Sequence, residues 1–463
     1  MRLPLARIAE IIGGMADAIH RDAVATGYSI DSRTLQPGDL FFAIRGENFD
    51  GHDYVNAALE RGAVAAVVRV SQAARFGDQR RIIAVPDTLA ALQTLGRAVR
   101  RMWNKQVIAI TGSAGKTTTK ESAGRLLSAK YRVLKSEGNL NNHYGLPLQL
   151  LRLEPEHQLA VVELGMNHAG EIRALAALCE PNAGVVTCVA PVHLGFFNSV
   201  ADIARAKYEL IQSLPATGTA VLNADDEYVS QFGRDFSGRV ITFGIHHPAD
   251  VRAEAIREMG PDGSEFDVVA GAARAHARLP LIGRHNIYNA LGAIAVALFG
   301  GLTLEEATSG VALFTPADKR GQVLTVGGAT VINDCYNSNP RALDYVVDAL
   351  AGMAVPDGGR RVVVAGEMLE LGPTTDDLHR RSGAHMADKN IDIVLGVRGA
   401  ARKIADAAAE AGVRAEFVDS PELAGEWLAR EVRPGDIVLL KASRGVKLEG
   451  ALETWTAKGV AGT

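Results

Sequence analysis

A run of small residues that ends in Gly-Lys-Thr carries the clearest chemical signal in this sequence. An apolar segment at residues 107–110 leads into this run, and a helical pattern follows it. Backbone N–H groups of such a loop, with the N-terminus of the next helix, can surround phosphate oxygens. The pattern predicts a nucleotide site in which Lys116 reaches the terminal phosphates and Thr117 binds magnesium. The loop consists of Thr111, Gly112, Ser113, Ala114, Gly115, Lys116, Thr117 and Thr118.

This loop is a variant of the P-loop, because Ile110 stands where the full pattern has glycine. The alternative is a glycine-rich turn between a strand and a helix with no ligand. Such a turn would rarely also carry Gly-Lys-Thr-Thr at the start of a helix. The sequence therefore favours nucleotide binding.

Three further residues could act beside this loop. Glu163 ends a predicted strand at residues 159–164, and His193 follows another apolar strand. Ligands of open α/β sheets bind at the carboxyl ends of strands, so Glu163 would direct magnesium and His193 could enter the same crevice. The alternatives are a solvated strand-end glutamate and a structural histidine. Lys207 lies in a predicted helix at residues 201–214, where composition alone indicates a solvated lysine paired with an acid.

For two polar segments of the chain, the sequence does not decide between nucleotide binding and a purely structural role. Asn286 and Asn289 lie three residues apart at the start of a predicted helix, where amides suit the edge of adenine. Asn286 could equally cap that helix. Asp334 ends a strand before Cys-Tyr-Asn-Ser-Asn-Pro, and a polar turn explains this segment as well as a nucleotide does.

The elements that must position these residues form an α/β protein. Strand-length apolar runs alternate with amphipathic helices, the pattern of parallel sheets covered by helices, and 463 residues suit about three domains. A possible antiparallel flap at residues 251–281 interrupts this pattern, and a Pro-, Gly- and charge-rich linker follows at residues 315–321. The predicted units are a small α/β domain at 1–103, a P-loop domain at 104–317, and a doubly wound Rossmann-like domain at 318–463.

Composition excludes several classes of protein. With 47% hydrophobic and 22% charged residues the chain is not disordered, and a net charge of −4 gives no general attraction to nucleic acid or anionic lipid. Three cysteines are too few and too scattered for a disulfide framework. No apolar stretch approaches the roughly 20 residues of a membrane span, and charges interrupt the N-terminal segment. We expect a cytoplasmic protein without membrane or nucleic-acid partners.

Together these motifs resemble the Mur ligase family, ATP-dependent amide-bond ligases of peptidoglycan precursor assembly. The resemblance runs over nearly the whole chain, and several independent motifs in one order make it specific. Beyond the loop, the residues that carry it are Glu163-Leu164-Gly165, His193, Ala206-Lys207-Tyr208-Glu209, Asn223-Ala224-Asp225-Asp226, the segment 283–289, Asp334 and Lys441-Ala442-Ser443-Arg444.

Within the family, residues 138–147 resemble the member that adds D-alanyl-D-alanine. The motif Asp31-Ser32-Arg33, with residues 37–41 and 50–52, suggests a UDP-sugar domain. The resemblance implies that ATP converts a carboxylate of UDP-N-acetylmuramoyl-tripeptide into an acyl phosphate, which the amine of D-alanyl-D-alanine attacks, in a monomer. The competing interpretations are the sister ligase that adds the third amino acid, and a P-loop ATPase switch that regulates a partner protein.

The resemblance also implies roles for individual residues. Thr117 and Glu163 would hold one magnesium ion, and His193 with a carbamylated Lys207 a second. Departures from the family pattern are Gly195 and Phe196 after the histidine, Cys335 in place of serine, and Ala442 in place of glycine. The remaining expected contacts are Asn286 and Asn289 with adenine, Arg320 with phosphate, Asp334 with ribose, and Ser32, Arg33, Asn141, Asn142, Lys441, Ser443 and Arg444 with the other substrates.

Overall fold

Three α/β units follow one another along the chain in the computed structural model, which describes residues 1–16, 20, 22–77, 79–192 and 194–460. Within these residues the main sheets have four, nine and six strands, and a two-stranded sheet lies near the N-terminus. The predicted α/β class with parallel sheets is confirmed. The exact domain boundaries at 103 and 317 stay predictions.

The first unit carries a parallel sheet in the order β3-β4-β5-β6. Its inner strands are apolar and buried except at one end of each, where Asp39 begins β4 and Arg69 ends β5. The last helix of the unit, α3, packs its apolar side into a core that continues into the second unit. The elements are β1 Leu3–Pro4, α1 Leu5–Ile12, β2 Val24–Ala25, β3 Gly27–Ser29, β4 Asp39–Phe42, α2 Val55–Glu60, β5 Ala65–Arg69, β6 Ile82–Val85 and α3 Thr88–Trp103.

The Asp-Gly-His motif at residues 50–52 stabilises this first unit. His52 is 2% exposed, its Nδ1 lies 2.6 Å from Asp50 Oδ1, and its Nε2 accepts the Arg69 N–H at 2.9 Å. A Cβ at Gly51 would lie 2.7 Å from the backbone of Ile44. The histidine ties a loop to the end of β5, and only glycine fits between them.

The second unit has a nine-stranded sheet in the order β15-β14-β13-β12-β11-β10-β7-β9-β8. The chain runs from β7 to the β8–β9 side and then crosses to β10, so a crevice opens at the carboxyl ends of β7, β9 and β10. The elements are β7 Gln106–Thr111, α4 Lys116–Leu127, β8 Val133–Lys135, α5 Gly145–Leu151, β9 Leu159–Glu163, α6 Glu171–Cys179, β10 Ala183–Val186, α7 Val200–Gln212, β11 Thr219–Asn223, β12 Arg239–Gly244, β13 Val251–Glu258, β14 Ser264–Ala270, β15 Ala273–Leu279, α8 Arg284–Phe299 and α9 Leu304–Val311.

The flap predicted at residues 251–281 is antiparallel, as expected. Strands β13, β14 and β15 form a meander, with an irregularity in β13 between Glu254 and Arg257. Helix α8, which follows the meander, is apolar on nearly all sides because it packs between this sheet and other helices. Its N-terminal turn faces the crevice.

The third unit is a six-stranded sheet in the order β16-β17-β21-β18-β19-β20. Strands β16 and β17 form a hairpin through Gly327 and Gly328, both at positive φ, and the other neighbours are parallel. The elements are β16 Gln322–Val326, β17 Ala329–Asn333, α10 Pro340–Ala351, β18 Arg361–Gly366, α11 Thr375–Asp388, β19 Ile393–Val397, α12 Ala401–Glu410, β20 Arg414–Val418, α13 Pro421–Glu431, β21 Ile437–Lys441 and α14 Glu449–Val460.

None of the helices in the described part of the chain combines the length and the apolar character that a bilayer crossing requires.

Candidate active site

Two glycines shape the loop that follows β7. Gly112 has a φ of 151° and Gly115 a φ of 80°. A Cβ at Gly112 would lie 1.8 Å from Thr187 Oγ1, and one at Gly115 would lie 2.2 Å from Asn289 Oδ1. Because Gly115 is the N-cap of α4, the loop presents the free N–H groups of that helix to the crevice. This is the backbone geometry that a phosphate cradle requires.

The segment at residues 187–190, directly after β10, holds this loop in place. The Ser113 N–H donates to the carbonyl of Cys188 at 2.8 Å, and the Ala190 N–H donates to Ser113 Oγ at 2.9 Å. The Thr187 hydroxyl donates to the carbonyl of Ala114 at 2.5 Å. The conformation of the loop therefore depends on the end of the neighbouring strand.

Glu163 joins the loop to the asparagine-rich segment at residues 138–147. Its side chain accepts hydrogen bonds from Thr117 Oγ1 at 2.9 Å and from Asn141 Nδ2 at 2.8 Å. It is only 3% exposed, so the alternative of a solvated strand-end residue is wrong. A carboxylate beside a hydroxyl supplies hard oxygen ligands, which suit Mg²⁺ that also binds phosphate oxygens.

Lys116 lies at the first position of α4 and turns back over the loop. Its Nζ donates to the carbonyl of Gly112 at 2.7 Å. Burial lowers the pKa of Lys116, the charge of Arg320 lowers it further, and the charge of Glu163 opposes them. A phosphate group at this position would offer the amine the anionic partner that favours its charged form.

Lys207 is buried in α7 with 2% exposure, so the interpretation of a solvated helix lysine is wrong. Burial lowers the pKa of Lys207 well below its ordinary value, and the charge of Lys116 lowers it further. Glu209, two residues along the same helix, accepts the N–H groups of Gly170 at 2.8 Å and Arg173 at 3.0 Å. These bonds tie α7 to the N-terminus of α6 and fix the helix that carries the lysine.

The amides of Asn286 and Asn289 form a chain at the start of α8. Asn289 Nδ2 donates to Asn286 Oδ1 at 2.9 Å, and Asn286 Nδ2 donates to the carbonyl of Ile282 at 2.9 Å. The N-cap of α8 is Gly283, and Asn286 makes no capping bond, so the capping alternative is wrong. Thr119 Oγ1 donates to Asn289 Oδ1 at 3.3 Å, which links this chain to α4.

The linker before the third unit presents Arg320 to the crevice. Its neighbours Lys319 and Gly321 adopt positive φ angles of 55° and 75°. The guanidinium carbon of Arg320 lies 4.1 Å from the ring centroid of Tyr336. This cation–π contact holds the charge at the boundary between the second and third units.

Asp334 and Lys441 form an ion pair at the carboxyl ends of β17 and β21. Lys441 Nζ also donates to the carbonyl of Asn337 at 3.2 Å. Ser443 accepts the Leu369 N–H at 2.9 Å and is buried, whereas Arg444 Nη1 pairs with Glu449 Oε1 at 2.6 Å.

Cys335 in the polar turn has a hydrogen-bond partner close to it in the chain. Its thiol donates to Asn333 Oδ1 at 2.9 Å. Burial raises the pKa of this thiol to about 12. The cysteine therefore stays protonated and acts as a hydrogen-bond donor in the turn.

These groups surround one cavity of about 470 Å³ between the second and third units. The structure brings most of the predicted residues to its wall, whereas Thr111, Gly112, Lys207 and Ser443 are buried and do not line it. The predicted residues that line the cavity are Ser113, Ala114, Gly115, Lys116, Thr117, Thr118, Asn141, Asn142, Glu163, Asn286, Asn289, Arg320, Asp334, Lys441 and Arg444.

Two predicted substrate residues, Asn142 and Arg33, have local structural contacts. Asn142 Oδ1 accepts the N–H of Gly145 at 2.9 Å at the start of α5. Ser32 and Arg33 lie in the first unit, and Arg33 pairs with Asp31 at 2.7 Å. The hydrogen bond from Arg33 lowers the pKa of Asp31. His193 lies outside the described residues.

Several residues of the cavity wall have no role predicted from the sequence, among them His285, Arg341 and Tyr345. The rings of His285 and Tyr345 stack at 5.9 Å across the boundary between the units. Burial lowers the pKa of His285 to about 4. The four-residue spacing of Arg341 and Tyr345 after a polar turn was the available signal, since it puts both on one helix face.

Within the described residues, no group of three or more His, Cys, Asp or Glu side chains is arranged to hold a metal ion. A cation beside Thr117 and Glu163 would therefore take its further ligands from phosphate and water, as Mg²⁺ commonly does.

Family models match three successive parts of the chain. The Mur ligase family catalytic domain matches residues 24–100, the Mur ligase middle domain residues 110–297, and the Mur ligase glutamate ligase domain residues 319–444. These matches follow the order of the three sheets.

Whole proteins are similar to the chain over nearly its full length. The UDP-N-acetylmuramoyl-tripeptide--D-alanyl-D-alanine ligase of Bacillus subtilis is 33% identical and covers 96% of both chains. The crystal structure of MurF from Acinetobacter baumannii has a TM-score of 0.88 at 30% identity, over 99% of each chain. MurF from Thermotoga maritima, solved in complex with ADP, has a TM-score of 0.82 at 27% identity, covering 97% of this chain and 100% of its own. With a P-loop, an interdomain cavity and relatives that match from end to end, the chain belongs to the Mur ligase family.

Proposed function

We propose that this protein is an ATP-dependent ligase that joins D-alanyl-D-alanine to UDP-N-acetylmuramoyl-tripeptide. The observation that carries the proposal is the Thr117–Glu163–Asn141 hydrogen-bonded group, which joins the P-loop to the asparagine-rich segment on one cavity wall. Full-length similarity to ligases of that name supports the substrates. The reaction belongs to peptidoglycan precursor synthesis in the cytoplasm.

The reaction proceeds through an acyl phosphate. An oxygen of the tripeptide carboxylate attacks the γ-phosphorus of ATP, the bond to the β,γ-bridging oxygen breaks, and ADP leaves. The amine of D-alanyl-D-alanine then attacks the acyl carbon, the amide bond forms, and phosphate leaves with its bonding electrons while the nitrogen loses a proton. The acyl phosphate supplies the leaving group that a carboxylate lacks.

The chain's own residues bind and orient the phosphates. The N–H groups at the start of α4 and the amine of Lys116 would bind the β- and γ-phosphates, and Arg320 would add positive charge from the linker. Thr117 and Glu163 would hold Mg²⁺, whose positive charge would stabilise negative charge on the transferred phosphoryl group. Asn286 and Asn289 would lie at adenine, and Asp334 at the ribose.

A second magnesium ion would use His193 and a carbamylated Lys207. The resemblance to the family suggests this modification, and the burial of Lys207 beside Lys116 supports it. Two amines in one desolvated region repel each other when both are charged, whereas a carbamate is an anion that attracts both Lys116 and a metal ion.

The three units divide the substrates between them. The first, at residues 1–103, would bind the UDP-muramoyl peptide through Ser32 and Arg33, together with Asn141 and Asn142 of the second. The second, at 104–317, binds ATP. The third, at 318–463, would bring Lys441, Ser443 and Arg444 to the reacting groups, in a protein that acts as a monomer.

A release assay for ADP tests the function. The purified protein is given ATP, Mg²⁺ and UDP-N-acetylmuramoyl-tripeptide, with and without D-alanyl-D-alanine, and the product is weighed by mass spectrometry. We expect rapid ADP release only with both acceptor substrates, and a product heavier by one dipeptide less one water.

Two further arms of the assay can contradict the proposal: one replaces both substrates by UDP-N-acetylmuramoyl-dipeptide and a single amino acid, and the other leaves out the sugar nucleotide and adds a candidate partner protein. If a single amino acid is added to the dipeptide acceptor instead, the protein is the sister ligase. If ADP forms rapidly without any sugar nucleotide and a protein stimulates its release, the protein is an ATPase switch.

A further inference from the structure

One face of helix α10 lies across the boundary between the second and third units. The ring of Tyr345 stacks on His285, and a Cβ at Gly283 would lie 3.0 Å from Ala349 Cβ. Residues 341, 345, 349 and 353 are spaced by four, so they follow one stripe of the helix and its C-terminal extension. At the lower end of the stripe, a Cβ at Gly260 would lie 3.5 Å from Met353 Cγ.

Arg341 stands at the upper end of this stripe and crosses the boundary with its guanidinium. Its Nη1 donates to the backbone carbonyl of Val189 at 2.7 Å and lies 3.3 Å from Asp226 Oδ2. Its Nε donates to the hydroxyl of Tyr345 at 2.7 Å, which fixes the side chain along the helix. The Asp226 side chain is 2% exposed, so the ion pair is partly withdrawn from water and stronger than a surface pair.

The carbonyl that receives Arg341 belongs to the segment that holds the P-loop. The Val189 N–H donates to Asp226 Oδ2 at 3.0 Å, and the residues on either side of Val189 bond to Ser113. One side chain of the third unit is therefore connected to the phosphate loop through three consecutive residues of the second, 188–190. Moving the third unit away breaks these bonds and removes a positive charge from this segment.

We propose that Arg341 is a positioning residue that holds the third unit against the segment after β10 when the units close. The inference rests on the proposed ligase function and deepens it. A latched boundary keeps water from the acyl phosphate until the amine attacks, so the residue acts on coupling rather than on phosphoryl transfer itself. Without it, ATP is still bound and cleaved, but the intermediate is exposed to water.

The test is the ratio of ADP released to amide formed, together with the KM of D-alanyl-D-alanine. We compare the wild type with Arg341→Ala, Arg341→Lys and Tyr345→Phe in the full chain. The matched control is Arg380→Ala, which removes an ion pair with Glu410 within the third unit, away from the boundary. Melting temperatures and gel filtration show whether each variant is folded.

The wild type and Arg380→Ala should release one ADP per amide. Arg341→Ala should release at least two, with the KM for the dipeptide raised about tenfold, within the usual range of coupling between sites. Arg341→Lys should give an ADP-to-amide ratio and a KM between those of the wild type and Arg341→Ala, because a lysine amine can reach one acceptor but cannot reproduce the several fixed N–H donors of the guanidinium. Tyr345→Phe should also give intermediate values.

Unchanged coupling and an unchanged KM in folded Arg341→Ala would overturn the inference. So would a lower kcat with one ADP per amide, because that result describes a structural or phosphate-binding role. If Arg341→Ala does not fold, Arg341→Lys and Tyr345→Phe decide by the same ratio. A wild type that makes no amide contradicts the proposed function instead, so the two failures are distinguishable.

Discussion

Replacing Gly115 by alanine tests the geometry of the P-loop, because the structure gives two separate costs for the added methyl group. The φ of 80° lies in the left-handed region, where a non-glycine residue costs about 1–2 kcal/mol. The Cβ would also lie 2.2 Å from Asn289 Oδ1. That oxygen accepts from Thr119, and its amide donates to Asn286, so moving it disturbs hydrogen bonds worth about 1 kcal/mol each.

The two costs sum to about 3–4 kcal/mol. Because this cost opposes the loop conformation that binds phosphate, it corresponds to about 150- to 900-fold weaker nucleotide binding. We expect isothermal titration calorimetry with Mg²⁺ and ADP to show this loss. The matched control is Gly271→Ala in the β14–β15 turn, where φ is 60° but no atom lies within 4 Å of the added Cβ. Gly271→Ala should lower the melting temperature slightly and leave ADP affinity unchanged.

A double substitution separates the steric cost from the backbone cost. Asn289→Ala removes the oxygen that the new methyl group would meet, so Gly115→Ala should cost less in that background. An ADP affinity within threefold of the wild type in folded Gly115→Ala would refute the reasoning. Equal costs of Gly115→Ala in both backgrounds would refute the part assigned to Asn289.

Three further predictions concern single titratable residues. Lys116→Ala should reduce ADP release at least about 100-fold, whereas the control Lys458→Ala, which removes only an exposed ion pair, should leave it unchanged. Near-native turnover in Lys116→Ala would contradict the phosphate role. Lys207→Ala should be inactive but partly rescued by acetate or formate, and full activity without them would exclude the carbamate. His285 binds its proton near pH 6.5 in the unfolded chain but only near pH 4 in the folded chain, so lowering the pH from 7 to 5 favours the unfolded chain. Over that range the free energy of unfolding should fall by about 2 kcal/mol more in the wild type than in His285→Gln. Equal falls in urea unfolding would contradict this assignment.

The features that the sequence predicts well are those built by neighbouring residues. The strand, loop and helix from β7 to α4 follow each other without a break, and the amides of Asn286 and Asn289 share one helix face through their spacing. Strand β8 escapes prediction because it has three residues, and β16 because its exposed side chains lack an apolar pattern. Edge strands carry little of the hydrophobic signal on which prediction depends.

The contacts that sequence alone misses join residues far apart in the chain. The ion pair of Lys441 and Asp334 spans 107 residues, and the contact of Arg341 with Val189 spans 152. Neither has a local pattern, because each forms only when the ends of separate strands and helices meet. The resemblance to a family placed Lys441 and Asp334 near the substrates, but it gave no reason to select Arg341.

Three lysines show how tertiary structure decides between identical side chains. Lys116 and Lys120 lie four residues apart on α4, yet Lys116 lines the cavity while Lys120 is fully buried and donates to the carbonyl of Ser136 at 2.6 Å. The hydroxyl of Ser136 accepts the N–H of Glu163 at 3.1 Å, so Lys120 supports the carboxylate from behind. Lys207 is buried on another helix, but it lies close enough to Lys116 for the charge of Lys116 to lower its pKa. Helical spacing predicts which face each lysine occupies, whereas the packing of β8, β9 and α7 around that face determines whether its amine lines the cavity, supports the site from behind or has a lowered pKa.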